Sequence, residues 1–223
     1  MPEEKPDTKE RLPQKPSAPS APFGGLRFPC IFSARPAGVG APQPSAVVDP
    51  ENAAGYRAYI EKIAGRADKT IIVSSAEHAN ITVEYIIRAA REKVEILTVD
   101  LNPTIYGTDN VCDAAVDFLD RDPAAKFGIL CENDIAQEHP LFEAFRSRKL
   151  ACRVGVCKVP EKMRTTYACH FIVSDGRNFR YDQDGNQLEA TVQFGEASLG
   201  AALSEIFARL SDKCEVLPIR AYA

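Results

Sequence analysis

The stretch Tyr167-Ala168-Cys169-His170-Phe171-Ile172-Val173-Ser174-Asp175-Gly176 decides how the chain is read. Apolar and β-branched residues fill most of it, its length suits one strand, and Asp175-Gly176 is turn chemistry. Side chains on a strand alternate faces, so Ala168, His170 and Ile172 fall on one side and Cys169, Phe171 and Val173 on the other. A single histidine therefore stands in an otherwise apolar strand.

Downstream, further strand-like segments follow at Asn178 to Tyr181 and Leu188 to Phe194, with Asp184-Gly185 as the hairpin turn between them. Leu199, Ala202, Leu203, Ile206 and Leu210 then form a helical stripe, and a last strand near Glu215 to Ile219 is expected at a sheet edge. Upstream, the pattern alternates. A helix opens at Asp49-Pro50 and ends near Gly65, carrying Tyr56, Tyr59, Ile60 and Ile63. A strand at Thr70 to Ser75 follows, then a helix with Val83, Ile86, Ile87 and Ala90, and a strand at Val94 to Val99. Next come a helix with Val111, Ala115 and Phe118, a strand at Lys126 to Cys131, a helix from Pro140 to Arg148, and a strand at Cys152 to Val159. Short apolar strands alternating with amphipathic helices predict an α/β fold: a mixed, mostly parallel sheet flanked by helices, then a β-meander and a helix.

The opening stretch is a different material. Eleven of the 16 prolines lie between Pro2 and Pro50, and Pro16-Ser17-Ala18-Pro19-Ser20-Ala21-Pro22 shows neither period. Residues 1–45 are expected to be a disordered Pro/Ala/Ser-rich tail, with residues 46–223 as the α/β domain. Within the tail, Phe23 to Phe32 carries Leu26, Phe28, Ile31 and Phe32 and could form a docking segment for a protein partner, against the plainer reading of an apolar linker. The first 45 residues hold six Lys or Arg against four Asp or Glu, so the net −4 of the chain leaves −6 on the remainder. Such a domain has no general attraction for nucleic acid or an anionic membrane, and either partner needs a local basic patch.

Seven scattered cysteines, mostly in apolar runs, fit reduced thiols in a cytoplasmic protein. Cys152 and Cys157 have no second pair to complete a zinc site, so neither metal nor cofactor is expected. No apolar run is long enough to span a membrane.

This order of elements resembles one half of the phospholipase D-like superfamily. Val94 to Asp100 with Asn102-Pro103 and Tyr106 looks like part of the family's first half, and Tyr167 to Gly176 looks like its signature strand. The resemblance implies a phospholipase D-like half-fold and a site built on His-x-Lys-x4-Asp, usually with Gly-Ser-x-Asn after it. In such a site an imidazole attacks phosphorus, a lysine neutralises the phosphate, and the acid orients the imidazole. Anchored on Asp175-Gly176, the motif puts Ala168 at the nucleophile and His170 at the lysine. Anchored on His170, it puts Ile172 at the lysine and Arg177 at the acid. The Gly-Ser-x-Asn region reads Leu188-Glu189-Ala190-Thr191-Val192, with a carboxylate that would repel a phosphodiester. The site is degenerate around His170 and Asp175.

The resemblance also implies a homodimer, because active members need two signature copies and this chain shows one. Lys158, Lys162, Arg164, Arg177 and Arg180 surround the signature strand and could bind a phosphate-containing ligand if they converge; a solvated hairpin face explains them as well. A lone His170 is more often a hydrogen-bonded core residue than a catalyst. His78 and His139 are expected in solvated helix-entry loops, and Asp175 is expected to cap its own turn.

The expected function is a non-catalytic interaction, ligand-sensing or regulatory module. The enzyme alternative is a divergent phosphodiesterase or nuclease using His170 across a dimer interface. A third reading, a nucleotide-binding doubly wound domain, lacks any glycine-rich phosphate loop and has only Ser74-Ser75-Ala76 before a helix to offer.

Overall fold

The computed structural model describes residues 52–219 apart from 65, 67, 68, 168 and 183–188. The expected tail, the segment Phe23 to Phe32, the cap at Asp49-Pro50, Gly65, Ala168 and the turn Asp184-Gly185 lie outside the described residues.

Helix α1 (Ala53–Ile63) starts at Asn52, whose side chain accepts the Gly55 N–H at 2.8 Å, and it buries Tyr56, Ile60 and Ile63. Strand β1 (Thr70–Val73) leads to helix α2 (Ala76–Ala89), capped by the Ser75 hydroxyl. Strand β2 (Lys93–Thr98), the short helix α3 (Pro103–Tyr106) and helix α4 (Asp109–Arg121) follow. Strand β3 (Lys126–Cys131), helix α5 (Pro140–Ser147) and strand β4 (Val154–Lys158) complete the alternating part. The expected strand from Cys152 begins later because Ala151–Arg153 form a 3₁₀ turn.

A second 3₁₀ segment, Glu161–Thr166, runs into strand β5 (His170–Ser174), which begins three residues after the expected Tyr167. Strands β6 (Asn178–Asp182) and β7 (Ala190–Gln193) make the meander, and helix α6 (Ala197–Ser211) returns to strand β8 (Glu215–Val216).

The sheet order is β1-β7-β6-β5-β2-β3-β4-β8. Only the pairs β2 with β3 and β3 with β4 are parallel; the other five pairings among the described residues are antiparallel. The sheet is thus mixed and mostly antiparallel, which corrects the expected parallel majority. The physical reason is an insertion. β1, α2 and β2 read as one crossover unit, but β7, β6 and β5 lie between β1 and β2, so the helix spans three strands rather than joining neighbours. β8 does join an edge, on β4.

The two faces are covered unequally. Helices α1, α2, α4 and α5 pack over Val94, Ile96, Phe127, Ile129, Ile172 and Val192. On the opposite face lies α6, whose Leu203, Ile206, Phe207 and Leu210 cover Leu97, Leu130, Phe171, Val173, Phe179 and Tyr181. Each such fully buried side chain contributes about 1.5–3 kcal/mol. Glycine makes two close approaches possible: the Phe207 ring sits on Gly128, and α6 at Gly200 lies against the backbone of Gly176 in the β5–β6 turn. Among the described residues, no helix is long and apolar enough to cross a membrane.

Candidate functional site

Strands β2, β3 and β4 end at one edge of the sheet, and antiparallel pairing brings the start of β5 and the end of β6 to that edge. Loops beyond the carboxyl ends of parallel strands are where α/β sheets bind ligands. Here the edge collects Glu132 after β3, His170 at the head of β5 and Asp182 at the end of β6.

His170 and Asp182 are register partners, and alternation puts Arg180 and Ile172 on the same face. The His170 Nε2 lies 2.8 Å from Glu132 Oε1, and the Tyr167 hydroxyl donates to the same oxygen at 2.9 Å. Tyr167 also meets the imidazole edge-on, with ring centroids 6.0 Å apart. Arg164 donates to the Glu132 carbonyl. On the other side of the ring, Nδ1 is enclosed, has no hydrogen bond, and lies 3.9 Å from Asp182 Oδ1. Asp182 Oδ2 is 3.0 Å from Arg180 Nη1, and both residues are buried.

The cluster is carboxylate-rich and half-buried, with His170 13% and Glu132 15% exposed. A carboxylate can only accept, so Nε2 carries a proton towards Glu132, while Nδ1 faces the Asp182 carboxylate. Nδ1 is shut inside against this second carboxylate. Attack on phosphorus needs the nucleophile open to within about 3–3.5 Å of the reacting atom. Burial, followed by the hydrogen bond to Glu132, raises the Tyr167 phenol above its ordinary value. Burial also pushes Tyr106 up to about 12, opposed by nearby Arg180 and reinforced by Asp182 and Asp100. Both phenols stay protonated at neutral pH, so each keeps an O–H to donate.

Asp175 is not part of this cluster. It sits at the far end of β5, where its carboxylate accepts the backbone N–H groups of Arg91 at 2.8 Å and of Glu92 and Lys93 at 2.9 Å each. Its φ of 52° is left-handed, a conformation that short polar side chains tolerate. It therefore ties the entry of β2 to the β5–β6 turn rather than capping its own turn.

The five candidate cations do not converge. Lys158 pairs with Asp134 at 2.6 Å, Lys162 is exposed on the 3₁₀ segment, and Arg164 is held by Glu132. Arg180 is buried with Asp182, and Arg177 is exposed in the β5–β6 turn at the opposite end of β5. Glu189 is exposed just before β7.

The other two histidines are buried rather than solvated. His78 stacks on Tyr56 with ring centroids 3.9 Å apart. His139 caps α5, accepting the Leu141 N–H at Nδ1 (3.2 Å), while Nε2 donates to the Leu101 carbonyl at 2.8 Å. Leu101 has a φ of 50°, so His139 secures a strained loop beside the site. Among the described residues, no group of three or more His, Cys, Asp or Glu could hold a metal ion.

Sequence reasoning missed Glu132, Tyr167 and Tyr106. Their only signal is position, since each lies within one or two elements of a strand end at the carboxyl edge.

Comparison with solved structures places this arrangement among known folds. The chain is similar to Nuc, a phospholipase D family member from Salmonella typhimurium, at 12% identity and a TM-score of 0.49, covering 67% of this chain and 98% of that one. It is similar to phosphatidylserine synthase of Haemophilus influenzae Rd KW20 at 13% identity and a TM-score of 0.51, covering 75% of this chain and 44% of that one. It is also similar to TrmBL2, an archaeal chromatin protein, at 13% identity and a TM-score of 0.49, covering 74% and 62% respectively. The chain thus spans less than half of the synthase, and identities this low speak to fold alone. The resemblance to the phospholipase D-like superfamily holds at that level. No curated protein matches the chain by sequence. Residues 75–218, from the cap of α2 to just past β8, match a family described as a domain of unknown function, and the chain belongs to that family, DUF7931.

Proposed function

We propose that the chain is a non-catalytic phospholipase D-like module, a homodimeric interaction, ligand-sensing or regulatory domain. One observation carries this reading: the His170 imidazole is held between Glu132 and Asp182, with its Nδ1 enclosed. A phosphodiester brought to this edge meets carboxylates where a hydrolase needs cations. A phosphate-containing ligand would instead meet Lys158 and Lys162 first. The Lys158–Asp134 pair is a surface contact worth about 0–1 kcal/mol, so an incoming anion can exchange with it.

The test is an assay of the purified full chain against bis(4-nitrophenyl) phosphate and single-stranded nucleic acid. The expected result is no turnover above blank, with His170→Ala indistinguishable from the parent. Turnover that His170→Ala abolishes overturns the reading. Sedimentation is expected to give twice the 24.4 kDa chain mass.

The enzyme alternative, a divergent phosphodiesterase using His170 across a dimer interface, needs Nδ1, which has no hydrogen bond, to be opened to the substrate. It requires a phosphohistidine intermediate, which acid-quenched mass spectrometry on a slow substrate would trap.

A further inference from the structure

Two large apolar side chains protrude from the described surface, Ile72 at 44% and Val216 at 72% exposure. They are the ends of one row. Strand register runs Ile72, Thr191, Tyr181, Phe171, Leu97, Leu130, Cys157, Val216 across all eight strands. Helix α6 covers the middle of that row and leaves its ends open.

The two ends differ. β8 is only two residues long and one of them is Glu215, which guards the edge by brevity and charge. β1 is four uncharged residues, Thr70-Ile71-Ile72-Val73, paired among the described residues on one side only, by β7. It has no charge, proline or bulge within it, so an open row of backbone groups and an exposed isoleucine stand together. Such an edge accepts another strand.

We propose that residues 23–32 of this chain supply that strand, adding to the free edge of β1 with Leu26 and Phe28 over Ile72. Leu26 and Phe28 are two residues apart and so share a face on a strand. Pro29 follows, tolerated because the added strand becomes the new edge. Reach is sufficient. The 19 residues 33–51 extend to about 65 Å, more than the diameter of a domain of this size. Charge agrees, since the first 45 residues carry +2 against −6 on the remainder. Tethering decides the occupant: an attached segment is present at an effective concentration on the order of millimolar, about a thousandfold above a second copy at micromolar concentration.

The test uses the full chain. Leu26→Ser, Phe28→Ser and Ile31→Ser together are expected to speed amide exchange in Thr70–Val73 about ten-fold while β2 and β3 are unchanged. Benzoylphenylalanine in place of Phe28 is expected, on irradiation, to cross-link within the chain to β1 or β7. Unchanged exchange in Thr70–Val73 overturns the proposal. So does a cross-link elsewhere in the chain, no cross-link, or, in mixed ¹⁴N/¹⁵N protein, a cross-link between chains, which would identify a second copy as the occupant.

Discussion

Asp175 and Lys93 exchange two hydrogen bonds: the Asp175 N–H donates to the Lys93 carbonyl at 3.0 Å, and the Lys93 N–H donates to Asp175 Oδ1 at 2.9 Å. With the N–H groups of Arg91 and Glu92 on the same carboxylate, this one side chain fixes where β2 enters the sheet. Asp175→Ala is expected to cost about 3 kcal/mol, because it removes three charge-assisted hydrogen bonds, one of them part-buried, and puts a Cβ-only residue at positive φ. Asp175→Asn keeps an acceptor and the tolerated backbone, and should cost roughly half as much. Urea unfolding measures both.

The seating of α6 depends on Gly200. A Cβ there would lie 2.4 Å from the Gly176 carbonyl oxygen, which is backbone and cannot swing away. Gly200→Ala is expected to destabilise by about 2–4 kcal/mol, in the range of overpacked or strained positions. Gly155→Ala meets nothing within 4 Å and should leave the unfolding midpoint within about 0.5 kcal/mol of the parent.

His139 gives the fold a pH dependence. Burial holds its pKa below the ordinary 6.5, against an opposing hydrogen bond to Leu101. The unfolded chain therefore binds a proton that the folded chain refuses. Stability is full above about pH 6.5, declines as pH falls below that value, and levels off under the folded-state pKa. Thermal melts between pH 7.5 and 5 should show this decline, and His139→Asn, which can still cap α5 but does not titrate, should remove that component.

The buried Arg180–Asp182 pair should be costly to break from either side. Arg180→Met or Asp182→Leu leaves a buried charge without its partner and is expected to lose about 3–5 kcal/mol. The double variant should lose less than the sum, and a double-mutant cycle by urea unfolding reads the coupling.

Thiol chemistry should follow burial. Burial pushes Cys112, Cys131 and Cys214 up to about 11, whereas Cys152 is exposed. At neutral pH, iodoacetamide mapped by mass spectrometry should label Cys152 ahead of these three, whose rates should rise with pH well past the ordinary thiol range.

Much of this fold was legible because burial writes a period into sequence. The strand at Lys126–Cys131 is apolar after its first residue and legible to the residue, and the α6 stripe places its helix. Pairing was not legible: β1 and β2 look like neighbours across a crossover helix, and nothing in either reveals that three strands intervene. The site divides the same way. His170 stands out as a lone imidazole in an apolar strand, but Glu132 looks like any loop carboxylate until parallel register brings the end of β3 beside it. Asp175 was visible as turn chemistry, while its three donors lie more than 80 residues away.

The pairing of β1 with β7 sets a schedule for synthesis. Val73 waits for Ala190, 117 residues later, as its register partner. At ribosomal speeds that interval is roughly 6–24 s. Throughout it, β1 is an apolar strand whose neighbour in the described sheet has yet to be made, while β2, β3 and β4 can already assemble. β1 is therefore locked in only after β2 to β6 have been made, and a chain stopped short of β7 would leave it exposed to other nascent chains.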